Sequence, residues 1–162
     1  MGARTKGART KGARTKGGKV KVELGRRYRF AASHRLHSAR LNEEENARVY
    51  GKCNNPHGHG HNYVVEISLS GNVDSATGMI ANLVDLDEFV RREILDKFDH
   101  RSLNEEVEAF RDKVPTTENL CVEIYRRMKA FPLAKLERVR VEETGNNSFE
   151  YAGDGLDEDR VN

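Results

Sequence analysis

Within the nine positions from Cys53 to His61 the chain places three of its six histidines and one of its two cysteines. His59 and His61 are two apart, and the sequence continues as Tyr63-Val64-Val65-Glu66-Ile67-Ser68-Leu69, β-branched and alternating, which predicts a strand. A strand has period two, so both imidazoles fall on one face. Two neutral imidazoles are two thirds of a catalytic zinc site, in which three protein ligands leave a fourth position for water or substrate. The third ligand is sought in Phe30-Ala31-Ala32-Ser33-His34-Arg35-Leu36-His37, where an earlier strand-like run ends. His34 is the better candidate and His37 competes with it, and spacing alone leaves both open. Gly58 and Gly60 flank the imidazoles, letting backbone come close to a bound group while adding nothing to a core. Cys53 has two readings, a reactive thiol or a fourth zinc ligand that closes a structural site.

The elements that must position these groups follow from the rest of the pattern. From Lys19 to Phe30 polar and apolar residues alternate, predicting a strand with a turn or bulge at Gly25. Asn42, followed by Glu43, Glu44 and Glu45, is a helix start with acids suited to the helix dipole. Gly78 to Leu83 reads as a short partner strand, and Asp85 with Glu88 as the capping box of an amphipathic helix with Leu86, Phe89, Val90, Ile94 and Leu95 on its stripe. That helix ends near Phe98 and delivers Asp99-His100 into a loop, where the carboxylate can fix the tautomer of the imidazole. Pro115-Thr116-Thr117 opens another helix, with both threonines suited to capping and Cys121 on the apolar face as a small core residue. Leu136 to Thr144 alternates as a strand, turns at Gly145-Asn146-Asn147 and returns as Ser148 to Tyr151. Glu143 shares a face with Val139 and Val141, and an acid on a buried face needs a partner. The expected class is α+β, an antiparallel sheet with two helices on one face.

The 162 residues suit one domain at 20–153 between two tails. Residues 1–19 contain seven Lys or Arg and no acid, so removing them from the formal charge of +2 leaves −5. Residues 3–17 are three copies of Ala-Arg-Thr-Lys-Gly, which have nothing to bury and are expected to be disordered. The tetrapeptide resembles the start of a histone tail, and such a run can hold nucleic acid weakly. Repeat expansion explains it more simply, and nucleic acid is not the expected partner. Residues 154–162 form a second, acidic tail. Two cysteines in separate elements, with no signal peptide and no long apolar run, point to a soluble cytoplasmic protein.

Taken together, Gly51-Lys52-Cys53-Asn54-Asn55-Pro56-His57-Gly58-His59-Gly60-His61, with Phe30 to Ser38 before it and Leu95 to Asn104, Pro115 to Leu120 and Val141 to Asn147 after it, resemble the 6-pyruvoyl tetrahydropterin synthases. The resemblance runs from about Val22 to about Gly153 and includes five motifs in the family's order. It implies the tunnelling fold, with sheets of several subunits joined into a barrel, as a homohexamer of two trimers with active sites at subunit interfaces. It also implies zinc on His34, His59 and His61, a catalytic Cys53 poised by Asp99 and His100, Glu143 as pterin anchor, and Thr116 and Thr117 against the pterin. The implied reaction takes 7,8-dihydroneopterin triphosphate to 6-pyruvoyl-tetrahydropterin and inorganic triphosphate, a step in making tetrahydrobiopterin. A related 6-carboxy-tetrahydropterin synthase of the deazapurine pathway is the alternative, and the five residues between Cys53 and His59 weigh against it, since that branch has three. A non-catalytic zinc module closed by Cys53 is the third reading. Arg35, Arg40 and Lys52 are near enough in sequence to be asked about the triphosphate.

Overall fold

The structure is a computed structural model that describes residues 20–153, so the expectations for both tails lie outside the described residues. Strand β1 (Lys21–His34) pairs antiparallel with β2 (His59–Asn72) along its whole length, from Lys21 opposite Asn72 to His34 opposite His59. The register passes Gly25 opposite Ser68 without interruption, so the expected bulge at Gly25 is absent. The reason lies in the alternation on either side. Leu24, Arg26 and Tyr28 keep one face, and Arg26 and Tyr28 both bind Asp87, which holds the strand straight through the glycine.

On the other edge of β2 lies β4 (Lys135–Thr144), followed outward by β5 (Asn147–Tyr151); β3 (Arg101–Ser102) lies on the free edge of β1. The order is β3-β1-β2-β4-β5. The sheet is antiparallel as expected except at β3, which runs parallel to β1 at Ala32 and Ser33. Two residues of pairing leave no periodicity to read in a sequence.

One sheet face carries the core. Phe30, Tyr63, Val65, Ile67, Val139 and Val141 are buried under Leu86, Val90, Ile94 and Phe98 from one helical stretch and Leu120, Ile124 and Met128 from another. The α+β class with two principal helices on one face therefore holds. Each fully buried aliphatic or aromatic side chain contributes roughly 1.5–3 kcal/mol relative to exposure. The opposite face is polar, crossed by ion pairs such as Arg27 to Glu142 at 2.8 Å and Arg138 to Glu150 at 3.5 Å.

The helix α1 (Glu43–Tyr50) starts where its sequence predicts, with Asn42 and Glu45 completing a capping box. By contrast α2 (Leu83–Val90) is capped by Asn82, not Asp85, and the predicted strand from Gly78 to Leu83 does not form. Asp74 accounts for the difference. Its side chain accepts the Ala76 and Thr77 N–H groups and its backbone closes a turn with Gly78 and Met79. That turn brings the chain straight to Asn82, whose side chain accepts the Val84 N–H, and Asp85 then serves as a first-turn acid. After α2 the helix widens to a π segment over Arg91–Leu95 and runs on as α3 (Asp96–Phe98); a short α4 (Leu103–Glu106) follows β3. The last helix, α5 (Thr117–Met128), is capped by Thr116.

Candidate metal centre and its surroundings

The register of β1 on β2 places His34 across from His59 and Ala32 across from His61. The three imidazoles of His34, His59 and His61 therefore converge at one end of the sheet, with one ligand nitrogen from each within 4.8 Å of the others. His34 is the third member, and His37 is not. His37 instead has its Nδ1 at 3.1 Å from the Asn54 amide and 3.3 Å from the Arg35 guanidinium.

His34 is 2% exposed, and its Nδ1 sits 2.8 Å from the carbonyl oxygen of Pro115. An imidazole facing a carbonyl must carry its proton on Nδ1, which leaves the Nε2 lone pair aimed at the cluster. Burial lowers the pKa of His34 most, ahead of the opposing Pro115 bond, and burial lowers that of His61 as well. Both are thus neutral near pH 7, the state a metal requires. His59 Nδ1 and His61 Nε2 are buried without a hydrogen-bond partner among the described residues. Buried polar atoms are rarely left so. Three imidazoles, one fixed in tautomer and two with orphaned nitrogens, fit a metal ion with an open fourth position. Gly58 closes this end tightly: it has φ +68°, and a Cβ there would sit 3.0 Å from the His34 carbonyl oxygen.

Cys53 lies in a 3-10 turn (Gly51–Asn54), partly exposed and free, with its carbonyl accepting the Leu36 N–H at 2.8 Å. Among the described residues its sulfur is outside the group of ligand atoms, which consists of the three histidines. Glu143 sits beside that group, with Oε1 3.7 Å from His34 Nε2 and from His61 Nε2. Thr117 donates to Oε1 at 2.6 Å and Asn147 donates to Oε2 at 2.9 Å. Burial alone would raise the pKa of Glu143, but those two bonds and the imidazoles outweigh it and hold the acid ionised below its ordinary value. Thr116 meanwhile accepts the Asn119 N–H, so the adjacent threonines divide the work of cap and carboxylate partner.

The Asp99-His100 pair is built differently. Asp99 Oδ1 lies 3.0 Å from His100 Nδ1 and accepts the Ala31 N–H at 2.9 Å, a bond that holds the acid below its ordinary pKa. His100 N–H donates to the Ala31 carbonyl at 2.6 Å, and φ at His100 is +57°, a left-handed backbone that costs energy outside glycine. The side chain of His100 is 83% exposed. Among the described residues it has no hydrogen bond or ion pair with Cys53 or the imidazole cluster. The pair precedes β3 on the edge of β1, and His100 lines an open concavity with Gly60, His61 and Asn62 of β2.

Three contributors were missed in the sequence: the Pro115 carbonyl, the Asn147 amide and the Ala31 backbone. A backbone group leaves no mark in residue type, and Asn147 reads as turn chemistry alone.

Comparison with known proteins gives a consistent result. The family described as 6-pyruvoyl tetrahydropterin synthase matches residues 23–154. A human protein named 6-pyruvoyl tetrahydrobiopterin synthase is 45% identical over 137 residues, 84% of this chain and 94% of the relative. The solved Caenorhabditis elegans 6-pyruvoyl tetrahydropterin synthase superposes with a TM-score of 0.80 at 40% identity, covering 83% of this chain and 97% of that one. An Archaeoglobus fulgidus protein named putative 6-carboxy-5,6,7,8-tetrahydropterin synthase is 41% identical over 85 residues, 52% of this chain and 67% of the relative.

Proposed function

The chain belongs to the 6-pyruvoyl tetrahydropterin synthase family, and on that premise we propose that it is a lyase converting 7,8-dihydroneopterin triphosphate to 6-pyruvoyl-tetrahydropterin and inorganic triphosphate. The observation that carries the reading is the ionised Glu143 beside three converging imidazoles. A pterin presents an amino group and an adjacent ring N–H, and a carboxylate accepts both in parallel. Thr117 and Asn147 occupy Glu143 from the protein side and fix its orientation.

The metal is zinc in this proposal, held by His34, His59 and His61. When bound it supplies Lewis acidity to the hydroxyl-bearing side chain of the substrate. The remaining work falls to protein groups. Cys53, outside the ligand set, removes a proton from the substrate side chain and returns protons to the ring. Two hydrogens pass from side chain to ring and triphosphate departs, so the substrate is internally oxidised and reduced with no external redox partner. Asp99 orients His100, which exchanges protons with Cys53 or the substrate oxygens. The exposure of His100 on the outer edge of β1 supports its acting in the site of a second copy, within a homohexamer whose joined sheets form a barrel. The polar sheet face, left bare by this chain's own helices, suits the inside of such a barrel.

Two free cysteines and the lack of any helix long and apolar enough to cross a membrane among the described residues accord with the cytoplasmic placement we propose. The five-residue spacing from Cys53 to His59 favours the pyruvoyl over the carboxy product. A mass-spectrometric assay of zinc-loaded protein with 7,8-dihydroneopterin triphosphate, anaerobic and reducing, decides it. A 6-pyruvoyl-tetrahydropterin product with released triphosphate is expected; a carboxy product, or bound zinc without turnover, contradicts the proposal.

A further inference from the structure

The turn that carries Cys53 (Gly51–Asn54) is tied to the rest of the molecule through one short segment. Among the described residues, its hydrogen bonds to distant parts of the chain all go to Arg35, Leu36 and His37. The Cys53 carbonyl accepts the Leu36 N–H at 2.8 Å, the Asn54 amide donates to the Leu36 carbonyl at 2.7 Å, and Arg35 Nε donates to the Asn54 carbonyl at 3.1 Å. Where Arg35 and Leu36 lie therefore decides where the thiol lies.

Strand β1 ends at His34, so ordinary strand pairing stops short of Arg35. Asn104 takes over there. Its Oδ1 accepts the Arg35 N–H at 2.7 Å and its Nδ2 donates to the Arg35 carbonyl at 3.0 Å. A carboxamide offers an acceptor and a donor side by side, as a peptide group does, whereas a carboxylate can only accept and a methyl group can do neither. The register is that of β3 on β1: Ala32 faces Arg101 and Ser33 faces Ser102, an offset of 69 that the Arg35–Asn104 pair keeps. The main chain has by then turned into α4, so a side chain continues the pairing that β3 began. His34, one residue away, does not depend on this clamp. Its ring is held by the Pro115 carbonyl and its backbone by pairing with His59.

We propose that Asn104 is a positioning residue for Cys53. It holds Arg35 and Leu36 in place, and they hold the turn that presents the thiol beside the metal centre. The inference rests on the proposed role of Cys53 in proton transfer and adds to it the residue that sets the place of the thiol. Among the described residues Asn104 makes no hydrogen bond to Glu143, Thr117 or the imidazoles. Its loss therefore acts on the chemical step and spares binding of the pterin, which lowers kcat at unchanged KM. A displacement of about 1 Å at a reacting group costs roughly a hundredfold in rate.

The test compares the zinc-loaded full chain with Asn104→Ala. Amide hydrogen exchange is read first, because it does not depend on turnover. The Leu36 N–H bonds Cys53 and not Asn104, so it exchanges faster in the variant only if the clamp reaches the turn. Losing two ordinary hydrogen bonds should speed that exchange roughly tenfold. Alkylation of Cys53 should quicken with it, and the buried Cys121 does not interfere. In steady-state kinetics kcat should fall by roughly tenfold to a hundredfold, with KM and zinc content unchanged. Asn104→Asp keeps the acceptor for the Arg35 N–H and should lose less. Asn54→Ala frees the Leu36 carbonyl on the other side of the same segment, so the two alanine changes together should cost less than the product of their separate effects. Asn82→Ala, which removes the cap of α2, should lower the unfolding temperature and keep kcat. Unchanged kcat or unchanged Leu36 exchange in Asn104→Ala overturns the assignment, as does an equal fall of kcat in Asn82→Ala. Strictly additive losses with Asn54→Ala, or a fall in kcat that only tracks lost zinc, overturn it too. If the parent chain does not turn over 7,8-dihydroneopterin triphosphate, the proposed reaction falls, and exchange at Leu36 with alkylation of Cys53 still decides the clamp.

Discussion

His34 and the Asp99-His100 pair are both attached to β1 within four residues of chain, yet they are made in opposite ways. His34 is 2% exposed, locked in tautomer by Pro115, and neutral because burial makes its charge costly. His100 is 83% exposed, set in a left-handed backbone by a bond to Ala31, and lines an open concavity with Gly60, His61 and Asn62 of β2. The first is a finished half-site inside one chain. The second is a carboxylate–imidazole pair with no hydrogen bond or ion pair to Cys53 or the imidazole cluster among the described residues. In the proposed assembly, a dyad organised at the expense of backbone strain and left in solvent is the part that a second copy would use.

The largest effect separates the halves outright. His34→Ala removes one ligand and the tautomer lock together, so metal content by atomic absorption and turnover should both fall to background, whereas His37→Ala should keep its metal. Retention of metal in His34→Ala would remove His34 from the finished half. His100→Ala should do the reverse, keeping metal and fold while kcat falls by about 10²–10⁴, the usual range for a lost acid–base group.

A smaller effect sharpens the first half. Thr117→Val deletes the hydroxyl that donates to Glu143, a charge-assisted bond worth about 1.5–3 kcal/mol, so KM should rise at least roughly tenfold. Losing a bond to the charged form also raises the Glu143 pKa, so the acid limb of kcat/KM should move to higher pH. An unchanged acid limb would mean that Glu143 is not the titrating anchor.

The smallest is a pH dependence of metal-free stability. His34 and His61 have folded pKa values below their ordinary 6.5, so the unfolded chain binds more protons in that window. Their stabilising contribution is complete above 6.5 and is lost as pH falls through the lower folded values. Urea midpoints of metal-free protein should decline from pH 7 towards pH 5, and the decline should shrink in His61→Ala. A flat profile would contradict burial as the cause of their neutrality.

Much of the first half was legible because its signals are local. The spacing of His59 and His61 with the strand after them gives the shared face, and alternation in β4 puts Glu143 with Val139 and Val141. What could not be read came from groups competing for the same backbone. Asp74 turned a predicted strand at Gly78 to Leu83 into a loop and let Asn82 take the cap from Asp85. Gly25 looked like a break, but cross-strand pairing and Asp87 held it extended. The choice between His34 and His37 depended on the register of two strands 25 residues apart and on the Pro115 carbonyl, neither of which is written in side-chain spacing. For Asp99 and His100 the dipeptide was visible, but its position on the outer edge of β1 depended on a two-residue parallel bridge.

The most direct measurement is of mixed oligomers. Cys53→Ala and His100→Ala chains, differently tagged and co-expressed, are purified through both tags and assayed with 7,8-dihydroneopterin triphosphate. If a dyad from one chain completes the metal site of another, the mixture should regain activity well above either variant alone, because some sites combine an intact Cys53 with an intact His100. Mixed oligomers as inactive as their parents, with metal bound and both chains folded, would show that the two halves serve one chain and contradict the account.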